Sequence, residues 1–227
     1  VLSGDVDFEE VKKISKKFFG KHKKGKVDFG MNTKDPLLET FINVKMKHPT
    51  VKQKIWKKFY RVDSYKKSIK KGLALDIGLK ILSSGSSSLL YENLVNKKKV
   101  FSAVGGYYQG LTKGEGNVYF YAIPNEEISL DEVDVIINKE MKIILDQGIS
   151  EKRFEIEKKK YIFDSIYSRD GILNPAQAIG ESLTIGFSLE DIENLNKKID
   201  EVTIFDVNDA LKKFQKNKNF IIGGLSN

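Results

Sequence analysis

Apolar residues recur along this chain with two periods, and the switches between them mark out its elements. Residues 1–6, VLSGDV, read as a short buried strand. Asp7 and Glu10 then read as a capping box, with Phe8, Val11, Ile14, Phe18 and Phe19 following at helical spacing. The polar, Lys-rich stretch GKHKKGKVDFGMNTKDP (20–36) reads as a connection. From Phe41 to Tyr60 the period becomes two. Ile42, Val44 and Met46 share one face of a first strand, and Val51, Ile55 and Phe59 mark a second, with Pro49 as the breaker between them.

Helical spacing returns over 65–85 through Ile69, Leu73, Ile77 and Ile81, flanked by Leu75, Leu79 and Leu82. A helix so apolar has to be substantially buried. The small-residue run SSGSSS (83–88) feeds a second short helix, and VFSAVGGYYQG and GNVYFYAIP follow as a hairpin joined by LTKGE. Beyond Ser129 the pattern is mostly helical. Ser129 with Glu132 makes a capping box, GIS (148–150) separates two long helices, and Asn174-Pro175 opens a third. Ser188 with Asp191 and Thr203 with Asp206 start two short ones, and NFIIGG (219–224) closes as a strand. Hairpins grouped with helices, without an alternating βαβ series, predict an α+β fold: a mostly antiparallel sheet with helices packed on one face. No linker or internal repeat divides the chain, so residues 1–227 are expected to form a single domain.

Charge changes this picture little. The net charge is +8, but of the 39 basic residues only Arg61, Arg153 and Arg169 are arginine, and the lysines are spread over every segment. Dedicated nucleic-acid surfaces concentrate basic side chains and favour the arginine fork, so a solvated lysine surface is the better reading. No apolar run approaches the roughly 20 residues of a membrane-spanning helix. With no cysteine there is neither a disulfide framework nor a thiolate ligand, and the compartment stays open. A chain that starts on Val1 with an expected strand leads us to expect a piece cut between two domains.

The chemistry of the chain is sparse. His22 and His48 sit in no metal-ligand motif, and SSGSSS lacks the strand–Ser–helix elbow of a serine nucleophile. The Gly-rich GGYYQGLTKGEG matches no phosphate-binding loop and lies on a hairpin. What remains is Gly105-Gly106 within a strand, which marks either a kink or a place where another backbone approaches. Tyr107 and Tyr108 beside them point to opposite faces, one toward the core and one outward. These four residues are the candidate substrate-binding positions, a wall along which an extended peptide adds as a strand.

Four motifs in order resemble one half of a peptidase of the M16 family, the insulinase and mitochondrial-processing-peptidase group. VLSGDVDFEEVKKISKKFFG resembles the strand and helix that open the carboxy-terminal half. LKILSSGSSSLLYENLVNKKKVFSAVGGYY resembles its small-residue turn, helix and cavity-lining strand. ISEKRFEIEKKKYIFDSIYSRD resembles the long helix, and IGESLTIGFSLEDIENLNKKIDEVTIFDVNDALKKF the closing run. The resemblance implies a LuxS/MPP-like metallohydrolase half: the inactive carboxy-terminal domain, with zinc held by H-x-x-E-H in an amino-terminal half absent from this chain. It implies a role in closing the chamber around a peptide or unfolded substrate, without a metal of its own. The partner is then the zinc-bearing domain or a partner subunit, as a homo- or heterodimer. Many members place an Arg and, seven residues on, a Tyr where this chain has Val95 and Ser102, so Tyr107 or Tyr108 substitutes for them or the parent does not cleave. The enzyme-half reading therefore stands beside a non-catalytic peptide-binding or scaffolding subunit, with a nucleic-acid module a distant third.

Overall fold

The structure, a computed structural model, describes residues 1–23, 25 and 42–227. The expected connection over 20–36 therefore lies largely outside the described residues. Five strands form one mixed sheet: β1 (Ile42–Lys47), β2 (Ile55–Val62), β3 (Phe101–Gln109), β4 (Gly116–Pro124) and β5 (Phe220–Ser226). Their order is β1-β5-β2-β4-β3, and every pair is antiparallel except β1 with β5. This is the α+β sheet that the pattern predicts, with one rearrangement. The two strands flanking HPT are not neighbours, because the last strand inserts between them.

Helices cover one face. The buried residues of β2 and β4 alternate as Trp56, Lys58, Tyr60 and as Val118, Phe120, Ala122, and they pack with α2 (Ile69–Ser83), α4 (Leu130–Gln147) and α9 (Ile204–Gln215). α2 lies innermost, with Leu73, Ile77, Leu79 and Leu82 almost fully buried, as its all-round apolarity requires. Gly78 lets α9 come close: a Cβ there would stand 2.8 Å from the Leu211 side chain. α3 (Leu89–Tyr91) runs into a π-helical turn, Glu92–Lys97, and α5 (Glu151–Tyr167), α6 (Asn174–Ile185), α7 (Leu189–Glu193) and α8 (Leu195–Asp200) follow α4. Capping boxes at Ser129, Ser188 and Thr203 start α4, α7 and α9 where the sequence places them. No helix of the described residues is long and apolar enough to cross a membrane.

Two expectations fail at the start of the chain. Residues 1–6 form no strand: Gly4 takes φ +136°, and Val1, Leu2 and Val6 are mostly exposed. An apolar segment becomes a strand only where a neighbouring ladder takes up its amides, and here none does. At α1 (Phe8–Phe19) the box reduces to an N-cap, Asp7 Oδ1 accepting from Glu10 N at 2.8 Å. α1 has no buried residue, so Phe8, Ile14, Phe18 and Phe19 present an uncovered apolar stripe.

Candidate functional site

The sheet face opposite the helices carries the distinctive side chains. Register places Ile42, Ile221, Phe59, Tyr119 and Tyr107 in one row that crosses all five strands. The next row runs Val44, Gly223, Lys57, Tyr121 and Gly105. Rings dominate its β2–β4–β3 end. Tyr119 lies 4.8 Å from Phe59, 5.1 Å from Tyr107 and 6.1 Å from Tyr121, centroid to centroid. Partial burial and the neighbouring phenols of Tyr107 and Tyr121 push the Tyr119 hydroxyl above its usual pKa, so Tyr119 stays a neutral donor. Arg61 flanks it, donating to Asn117 Oδ1 at 3.3 Å with Glu115 at 3.4 Å. The apolar side chains here remain open: Phe59 is 45% and Tyr107 47% exposed.

The four sequence candidates split between the two faces. Tyr107 stands on the open face. Tyr108 is buried on the helix side, packing 5.4 Å from the Tyr65 ring and donating to the Asp63 carbonyl at 2.5 Å. Gly105 lies beneath Tyr121, whose ring would be 2.7 Å from an added Cβ. Gly106 faces inward, where a Cβ would be 2.7 Å from both the Phe120 ring and the Tyr119 carbonyl oxygen. The close approach at the glycine pair is thus made by β4 itself. The irregularity in β3 falls earlier, as a register shift between Phe101 and Ala103.

β3 is also an edge. Its ladder runs to β4 on one side, and among the described residues no backbone group pairs with its outer side over 101–109. Such an edge offers unpaired amides and carbonyls to an added strand. The stretch leading into it is stiffly held. Arg153 bridges Glu92 at 2.5 Å and the Ser87 carbonyl at 3.1 Å, while Glu140, buried, takes Asn93 at 2.7 Å and Lys98. Val95 packs half-buried against the core from the π-helical turn, and Ser102 donates to the Ile123 carbonyl at 3.2 Å. Neither position supplies a guanidinium or a phenol.

Sequence reading missed Phe59, Tyr119 and Tyr121. The alternation of GNVYFYAIP already sets both tyrosines on one face, opposite Val118 and Phe120; what it leaves unstated is which face is covered. Nor do the residues fit a zinc site. His48 Nδ1 pairs with Thr50 Oγ1 at 2.7 Å in the β1–β2 turn, and among the described residues no three metal-ligating side chains come together.

Comparison with known proteins follows the same lines. A protease from Helicobacter pylori matches with a TM-score of 0.84 at 20% identity, over 98% of this chain and 54% of that one. The inactive peptidase domain from Bordetella parapertussis matches with a TM-score of 0.67 at 17% identity, over 76% and 91%. The periplasmic protease PqqL of Escherichia coli matches with a TM-score of 0.73 at 12% identity, over 98% of this chain and 26% of that one. At these identities the likeness is one of fold, and the chain spans about half the length of the Helicobacter pylori protease. Among curated proteins none matches the sequence. The family model for the peptidase M16 inactive domain matches residues 1–161, through most of α5, and the chain belongs to that family.

Proposed function

We propose that this chain is the metal-free half of a zinc endopeptidase, a single domain whose open sheet face forms one wall of the chamber that holds an extended peptide. The observation that carries the reading is the pairing of an uncovered, ring-lined face with the free edge of β3. A peptide strand added along β3 gains main-chain hydrogen bonds, and alternate side chains then lie toward Tyr107, Tyr119 and Tyr121. The exposed apolar stripe of α1 fits a docking contact with the zinc-bearing half. That half supplies the metal and the activated water. This chain orients the substrate and excludes bulk solvent, contributions worth several kcal/mol of barrier when the geometry is tight.

The test is reconstitution. Mixing this chain with the zinc-bearing half of its parent should give chelator-sensitive cleavage of short unfolded peptides, and Tyr107→Ala should lower kcat/KM about tenfold or more. An active mixture that ignores Tyr107→Ala removes the positioning role and leaves the enzyme reading in place. A zinc-loaded parent that cleaves nothing across a broad peptide library replaces it with the second reading, a scaffolding subunit that binds peptides uncut. That alternative draws its support from Val95 and Ser102, which offer no substitute for a charged or phenolic substrate contact.

A further inference from the structure

On the helix side, beyond the end of β3, a separate cleft of about 660 Å3 opens between α2, the end of α5 and the α6–α7 segment. Its floor is a side-chain cluster with no part in the open face. Asp76 is the one charge within the apolar run GLALDIGL of α2. The hydroxyls of Tyr65 and Tyr161 both donate to its Oδ2, each at 2.6 Å, and stand 2.9 Å from one another. Among the described residues no donor reaches Oδ1. Lys80, one turn further along, is engaged elsewhere: it bridges Asp164 at 3.1 Å and lies over the Tyr161 ring. Burial pushes the Asp76 carboxyl above the usual carboxylate range, and the two phenols and Lys80 pull it partly back.

The rest of the cleft is apolar wall and polar rim. Leu73, Tyr108 and Phe187 line the wall, and Glu181 stands with Asp76 among the lining residues, while Asp191 is already paired with Lys198 at 2.5 Å. Arg169, the one basic residue lining the cleft among the described residues, already donates to the Ile192 carbonyl at 2.8 Å. A ring-bearing cleft with a carboxylate at its floor is thus set into a chain of net charge +8. The free acceptor at its floor is one carboxylate oxygen, because the phenols occupy the other. A guanidinium fork wants two oxygens side by side, whereas an ammonium is satisfied by one together with aromatic faces. A ligand with no hydrogen-bond donor would cover the carboxylate without a partner, at a cost.

We propose that this cleft binds a primary ammonium on an apolar stem, the ammonium at Asp76 Oδ1 and the stem against Leu73, Tyr108 and Phe187. The chemistry is shared by a lysine side chain and by a free alkylamine. Calorimetric titration of the 227-residue chain separates them, using n-butylammonium and acetyl-Ala-Lys-Ala-amide as probes, with n-butanol and the norleucine peptide as uncharged controls. One saturable site for the amine is expected, with the controls silent. Binding of both charged probes identifies a lysine side chain as the occupant, and binding of butylammonium alone a small amine. Asp76→Asn keeps an oxygen that accepts from both phenols while removing the charge, and should weaken binding tenfold or more. Leu111→Arg, at an exposed lining position, adds a like charge without entering the core and should weaken it in the same direction. If Asp76→Asn does not fold, Leu111→Arg decides. Absence of saturable binding by either probe overturns the proposal, as does binding that survives the substitutions in folded protein.

Discussion

At Gly106 an added methyl group would press on a backbone carbonyl and on a ring packed under the helices, neither of which can move without disturbing β4. At Gly105 it would press on the outer end of the Tyr121 ring, which stands on the open face and is free to swing away. Gly106→Ala should therefore cost about 1–3 kcal/mol, the usual range for overpacking, and Gly105→Ala clearly less. Urea denaturation of both variants checks the order, and equal losses would contradict the face assignment. The sequence shows that Tyr107 and Tyr108 divide between faces, because alternation is a local property. It does not show what fills the space beside the glycines, because the rings that do so belong to another strand, at positions fixed only by register.

Among the elements, β2 reverses the ordinary rule for reading a strand. Its apolar Ile55 and Phe59 lie on the open face, while Lys58 is buried at 3% exposure, paired with Asp134 at 2.8 Å and with its ammonium 4.0 Å from the Phe220 ring centre. No periodicity in β2 alone separates these faces, since both carry apolar residues; the helices packed on one side decide it. Burial pushes the Lys58 ammonium below the usual lysine range, with the Asp134 hydrogen bond and charge opposing. In the unfolded chain the same proton is held up to about pH 10.4. Between the lowered folded value and that limit the unfolded state binds more protons, so this group's contribution to stability rises with pH. The stability difference between wild type and Lys58→Met should grow in favour of wild type as pH climbs toward that limit. Asp134→Ala strands the ammonium and should cost about 3 kcal/mol, the low end for a broken buried pair, since Asp134 keeps some contact with water. The helix starts were far more legible. Ser129, Ser188 and Thr203 cap through bonds spanning three residues, and Thr203→Ala should cost about 1 kcal/mol of unfolding free energy.

For the molecule as a whole, the element sequence was enough to predict the α+β class and the layer of helices, because hairpins and amphipathic helices are written in short windows. The strand order was not, since a parallel partner distant along the chain leaves no local trace. β5 follows every other element in sequence yet lies between β1 and β2. While this chain is being synthesised, β1 and β2 wait through more than a hundred residues with the edges that β5 will occupy still bare. Chains halted by the ribosome shortly before Asn219 should accordingly be protease-sensitive and prone to pairing with one another, whereas release of the last strand should bring resistance in a single step. Proteolysis of stalled nascent chains of increasing length would register that step, and a gradual gain beginning at β4 would mean that the sheet closes without its final strand. For a cell making this protein, the dangerous interval runs from the emergence of β2 to that of β5, and a chaperone that shields bare strands has most to do there.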